Sequence, residues 1–137
     1  MKTDSILALA TLLTLPLMTG CQTQPPVHKI TDADNGSTIL LSRQDLLEVD
    51  LAGNPSTGYT WQTVNLNSWV LAPLGRPVFN TDAPGTNDPP VVGGGGLTTL
   101  TYRPVGEGTS PLQLAYSRPW QTNATPAKTF AVTITVK

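Results

Sequence analysis

Residues 129–136 read Thr-Phe-Ala-Val-Thr-Ile-Thr-Val. Phe130, Val132, Ile134 and Val136 fall on one face, and Thr129, Ala131, Thr133 and Thr135 on the other. Successive side chains of a strand point to opposite faces, so the pattern predicts a strand with one face buried. The same period recurs upstream. Leu112, Leu114 and Tyr116 form one set, and Leu100 and Tyr102 stand against Thr99, Thr101 and Arg103. Tyr59, Trp61 and Thr63 alternate with Thr60, Gln62 and Val64, and Leu47, Val49 and Leu51 with Leu46, Glu48 and Asp50. Beyond the first 20 residues, no segment holds an apolar helical period for three turns. Several short strands joined by Gly- and Pro-containing loops predict an all-β chain, a two-sheet antiparallel β-sandwich. Trp61, Tyr102, Tyr116 and Phe130 are the expected large core side chains.

Composition narrows the class of function. The 137 residues include 12 Gly and 13 Pro, dense punctuation that suits strands and structured loops better than a helical bundle. Eight Lys and Arg against nine Asp and Glu leave a formal net charge of −1, which argues against a nucleic-acid binder, since such proteins normally show a basic face. A single cysteine, Cys21, excludes an intrachain disulfide and a multi-cysteine zinc site, so core packing must hold the sheets together. The single histidine, His28, excludes a two-histidine metal motif. No cofactor and no metal is expected.

The N-terminus accounts for the cysteine. Residues 6–18 are apolar with scattered Thr, behind one basic residue, Lys2. The run is shorter than the ~20 residues of a spanning helix and fits the apolar region of an export signal. Residues 17–21, Leu-Met-Thr-Gly-Cys, resemble the lipobox of bacterial lipoproteins. The resemblance implies a signal peptide at 1–20, acylation of Cys21, and an anchor in a lipid bilayer; the competing reading is an ordinary signal with a stray cysteine. Gln22 in place of aspartate points to the outer membrane of a bacterial envelope. Residues 22–36 are polar, contain Pro25-Pro26, and read as a tether with His28 solvated in it. The folded domain is then expected over 37–137.

Three further stretches carry information beyond the strands. Residues 54–61 read NPSTGYTW. Pro55 fixes one φ, Gly58 permits a positive φ, and Asn54 and Thr57 can bond local backbone, as in any turn between strands. Eight residues in this order exceed what a turn requires. Gly93, Gly94, Gly95 and Gly96 lack the Lys and Ser/Thr of a phosphate loop. They read either as a flexible linker or as backbone that another backbone must approach closely. Ser117, Arg118, Pro119 and Trp120 place a Trp on a rigid loop, either folded back over the sandwich end or presented to a partner. Residues 79–92, FNTDAPGTNDPPVV, read as a long exposed loop.

In this order, the three stretches resemble the loops of chagasin-type inhibitors of papain-like cysteine peptidases: an Asn-Pro-Thr-Thr-Gly-aromatic loop ending at Trp, a Gly-x-Gly-Gly loop and an Arg-Pro-Trp loop. Ser56 replaces the usual Thr, a fourth Gly fills the variable position, and Gln121 stands where acidic residues are frequent. The resemblance covers residues from about 42 to 137 and implies an immunoglobulin-like sandwich whose loops occlude a peptidase cleft reversibly. Asn54, Pro55, Ser56, Thr57, Gly58 and Tyr59 would enter beside the catalytic cysteine and histidine, with Thr57 nearest the thiolate. Gly93 to Gly96 would run along the non-primed side, while Arg118, Pro119 and Trp120 would cover the primed side. The implied protein is a monomeric inhibitor, not an enzyme. A non-inhibitory envelope module binding carbohydrate or protein is the alternative, with Trp69, Trp120 and Tyr59 as sugar platforms beside Asn65 and Asn67. A structural lipoprotein leaves the three loops unexplained. A hydrolase would need Asp32/Asp34 or Asp82/Asp88, which read as solvated charges.

Overall fold

The computed structural model describes residues 20–81 and 94–137. Among these residues, nine strands fill two sheets: β1 (Val27–Thr31), β2 (Thr38–Leu41), β3 (Leu46–Gly53), β4 (Thr60–Leu66), β5 (Leu71–Pro73), β6 (Val78–Asn80), β7 (Gly96–Pro104), β8 (Gly108–Ser117) and β9 (Lys128–Val136). One sheet runs β1-β3-β7-β5, with β6 continuing the β5 edge of β7, and the other runs β2-β9-β8-β4. All five alternating segments become strands. Leu47, Val49, Leu51, Leu100, Tyr102, Leu112, Leu114, Tyr116, Phe130, Val132, Ile134 and Val136 are buried between the sheets, as their period demands. The four expected large core side chains, Trp61 included, are all buried.

With no disulfide in reach, packing between the sheets is joined by side-chain hydrogen bonds. The Trp61 indole N–H on β4 donates to the Ala52 carbonyl on β3 at 3.0 Å. The Thr63 and Tyr102 hydroxyls share a hydrogen bond of 2.6 Å, and burial pushes the Tyr102 phenol above its ordinary pKa. A register shift between Thr63 and Asn65 marks a bulge that twists the exposed end of β4.

Three expectations need correction. The tether does not reach Gly36. Val27–Thr31 pairs with β3 in parallel register, and Ile30 is buried in the core. A 3₁₀ turn (Asp32–Asp34), closed by a reciprocal cap between Thr31 and Asp34, then carries the chain to the other sheet, where β2 pairs with β9, also in parallel. The sandwich is therefore antiparallel in its interior and parallel along two edges, because one N-terminal segment serves both sheets. His28 is not a free linker residue: its imidazole lies 3.1 Å from the Asp45 carboxylate. Finally, Phe79 and Asn80 belong to β6, paired with Thr98 and Leu97, so the exposed loop cannot begin at 79. The remainder of that expected loop, residues 82–92, lies outside the described residues. Among the described residues, no helix is long and apolar enough to cross a membrane.

Candidate functional site: the loop end of the sandwich

Register places the three motif loops together. Gly53 at the end of β3 pairs with Gly96 at the start of β7, and Thr60 at the start of β4 pairs with Ser117 at the end of β8. Residues 54–59 therefore cross from one sheet to the other, with the glycine run beside them on the first sheet and Arg118-Pro119-Trp120 beside them on the second. Gly93 lies outside the described residues, whereas Gly94, Gly95 and Gly96 lead into β7.

The first loop is shaped by its own residues. Pro55–Thr57 form a 3₁₀ turn capped by Asn54, whose side-chain carbonyl accepts from the Ser56 N–H at 3.2 Å and also bonds the Ser56 hydroxyl. The Thr57 hydroxyl donates to the Asn54 carbonyl at 2.6 Å. Gly58 ends the turn at φ +83°, in the left-handed region that L side chains avoid. Tyr116 on β8 fixes the loop from below. Its hydroxyl accepts from the Asn54 N–H at 2.7 Å and donates back to the Asn54 carbonyl at 3.4 Å.

The third loop is locked onto the first. The Arg118 Nε–H donates to the Thr57 carbonyl at 3.2 Å, and its guanidinium lies 4.6 Å from the centre of the Tyr59 ring. Tyr59 in turn stacks on Tyr116 at 5.3 Å, and Tyr116 meets Trp61 at 5.1 Å. A half-buried cation is thus tied through two rings to a core indole. Trp120 resolves the two readings of its loop. The far edge of its indole rests on the backbone of Gly58, where a Cβ would fall 2.5 Å from the ring, yet the side chain stays 67% exposed. It is propped upright on the first loop, neither folded flat nor free.

Of the glycine run, the last member is explained by close packing. A Cβ on Gly96 would overlap the Asn80 carbonyl oxygen and fall 2.8 Å from the Phe79 ring, so close approach of β6 requires bare backbone there. Beside the loops, between β4 and β6, opens an apolar groove of about 610 Å³ lined by Pro55, Tyr59, Trp61, Phe79 and Pro119.

Other candidate residues fall elsewhere. Cys21 is exposed ahead of β1. Trp69 sits at the opposite end of the sandwich from Tyr59 and Trp120, so the three rings do not form one sugar platform. The Asn65 amide is engaged with Gln113, and the Asn67 side-chain oxygen with the Trp69 N–H. Asp34 caps the turn after β1 through the Thr31 N–H at 2.9 Å, a structural task. Sequence reasoning passed over Tyr116 as a loop anchor; its place on a core face hid the hydroxyl at its tip.

Known proteins share this fold and much of this sequence. Residues 41–134 match the family described as Chagasin family peptidase inhibitor I42. Chagasin of Trypanosoma cruzi is 30% identical over 109 residues, covering 77% of this chain and 94% of that protein. Amoebiasin-2 of Entamoeba histolytica is 26% identical over 117 residues, covering 84% and 89%. A crystal structure of a cysteine protease inhibitor from Entamoeba histolytica superposes with a TM-score of 0.70 at 24% identity, covering 82% of this chain and 96% of that one. Members of this family inhibit peptidases and are not enzymes. The chain belongs to the chagasin family of peptidase inhibitors.

Proposed function

We propose that this protein is a reversible inhibitor of papain-like cysteine peptidases that inserts its loop end into the active-site cleft as one rigid wedge. The observation that carries the reading is the contact of Trp120 with Gly58, together with the Arg118 bond to Thr57, which makes the sheet-crossing loop and the β8–β9 loop a single body. A body already ordered when free loses little conformational entropy on binding, and rigid loops are what an occluding inhibitor needs. Pro55, Ser56 and Thr57 are exposed at its tip, where small side chains suit a narrow cleft beside the catalytic cysteine and histidine. The glycine run would lie along the non-primed side, with Gly96 at its end buried as packing backbone between β3 and β6. Trp120 offers an exposed aromatic face to the primed side. Arg118 is held by Thr57 and Tyr59, so its larger part is to position the wedge. No step in this scheme is covalent. The interface would be of ordinary protease–inhibitor size, about 1,600 Å² in total.

The same proposal takes residues 1–20 as a lipoprotein signal and Cys21 as the acylated anchor, with Gln22 directing the protein to the outer membrane. Two or more acyl chains would hold it firmly, where one chain is marginal.

Titration of the domain against papain and a lysosomal-type cathepsin, with a serine protease as control, tests the inhibitory reading. Inhibition of the first two and not the third is the expected result. A folded domain that inhibits no papain-like enzyme at micromolar concentration across a broad panel would sink it.

A further inference from the structure

The end of the sandwich opposite the loops holds a residue the inhibitory scheme does not use. Trp69 is 86% exposed, the most exposed large hydrophobic side chain among the described residues. Its backbone is firmly held. The Trp69 N–H donates to the Asn67 side chain at 3.1 Å, and the Val70 and Leu71 N–H groups donate to the Asn67 carbonyl at 3.0 Å. The Asn67 N–H bonds the fully buried Ser110 hydroxyl at 2.8 Å. Gly106 closes against the Trp69 carbonyl so tightly that no Cβ would fit, and Val105, itself partly exposed, bonds the Val70 carbonyl at 2.9 Å. The indole is therefore carried outward on a fixed turn, with an exposed valine beside it.

This is also the end where the chain enters the domain. β1 begins here at Val27, whose register partner is Leu46 at the start of β3, and Val27 is itself exposed. Only residues 22–26 separate the exposed Cys21 from that strand, a reach of at most ~22 Å when fully extended. An indole with an apolar body and one N–H prefers the boundary between hydrocarbon and water.

We infer that the Trp69 end of the domain is a lipid-facing surface, with the indole and Val105 resting in the bilayer interface and the loop end directed away from it. The inference rests on the anchoring of Cys21. One ring binds a membrane weakly by itself. A short tether raises the effective concentration of the second contact to the millimolar range, so weak intrinsic affinity suffices to orient an anchored domain.

The test uses the full chain with its leader, expressed in a bacterial host and recovered from membranes, in a Trp120→Phe background. Emission then comes from buried Trp61 and exposed Trp69. The protein is reconstituted into vesicles of phosphatidylethanolamine and phosphatidylglycerol, with or without brominated acyl chains. Brominated lipid should quench the emission and aqueous iodide should lose access to Trp69. Trp69→Phe should abolish the lipid quenching. A parallel sample, the chain from Cys21 onward made without the leader so that its thiol stays free, and coupled through that thiol to a maleimide headgroup lipid, separates the two premises. Lipid quenching in the coupled sample without native acylation by mass spectrometry keeps the surface and discards the natural anchor. Iodide quenching unchanged from that of the free protein, with no lipid quenching in a sample anchored by either route, overturns the lipid-facing surface and leaves the anchor standing.

Discussion

The β8–β9 ladder and the loop end are ordered by different physics. In the ladder, order follows burial: Leu112 faces Val132 and Leu114 faces Phe130, and all four are excluded from water. At the loop end, the residues of the two loops are exposed or only half-buried. Position there comes from a capped 3₁₀ turn, a left-handed glycine, a cation on a ring and an indole on a backbone. Surface interactions of this kind are individually small. Their effect is to fix geometry, and geometry is what an occluding surface must supply. A substitution in the ladder should therefore change stability and leave affinity alone, and one in the loops should do the reverse.

The largest expected effect lies in the ladder. Ile134 is fully buried in the middle of β9. Ile134→Ala should cost ~2–5 kcal/mol in denaturant melts through lost transfer energy and the cavity left behind. The fraction that remains folded should inhibit papain as tightly as the wild type. A weakened inhibition constant at full folding would show that the ladder shapes the loops and would break the division.

Next come the loop substitutions. Thr57→Arg places a long charge at the tip of the wedge and removes the hydroxyl bond to Asn54. Trp120→Ala removes the exposed indole. Each should weaken inhibition by at least ~2 kcal/mol, about thirty-fold, with melting temperature almost unmoved and most of the loss in faster dissociation. A peptidase whose catalytic cysteine carries a small cap should still bind. Loss of carbohydrate binding on Trp120→Ala with indifference to Thr57→Arg would point instead to a binding module.

Gly58→Ala is the case that should blur the comparison. Its Cβ meets both a positive φ and the Trp120 ring. A cost of ~1–2 kcal/mol in stability is expected from the left-handed backbone alone. Affinity should fall too, because Trp120 must move. Combined with Trp120→Ala, the affinity losses should add to less than their sum in a double-mutant cycle. Full additivity would mean that the two loops do not act as one body.

The smallest effect concerns acid. The Ser42 N–H donates to the Asp45 carboxylate at 2.8 Å, and that bond, with His28 nearby, holds the carboxyl below its ordinary pKa. A group with a depressed folded pKa adds stability above its unfolded value, near pH ~4, and that contribution is lost as pH falls through the folded value. The melting temperature should therefore fall more steeply below about pH 4 in the wild type than in Asp45→Asn. Equal acid profiles would remove Asp45 from the account.

Much of this division could be read from residues. Burial writes itself into a strand as alternation, so β3, β4, β7, β8 and β9 were legible, as were their core aromatics. β1, β2, β5 and β6 were not. Each has only three to five residues at a sheet edge. In β1 a single residue, Ile30, is buried, and one position cannot show a period. The loop sequences were legible as motifs and their turn chemistry as Pro55 and Gly58. Their convergence was legible only through the family resemblance. The contact of Trp120 with Gly58 joins residues 62 apart, and nothing in either local sequence records it.

The parallel pairing of β1 with β3 has a mechanical consequence. β1 is entered at one end of the sandwich, and β3 leaves for the wedge loop at the other. A force pulling residues ahead of Val27 away from the loops is directed along both strands, in opposite senses. It loads their five register pairs in shear, together with the burial of Ile30, where a force across the strands would peel the pairs apart one after another. Rupture in shear demands concerted loss of the whole ladder. The first strand, with the least readable sequence, is thus placed to act as a tensile joint between whatever holds the N-terminus and whatever holds the loops.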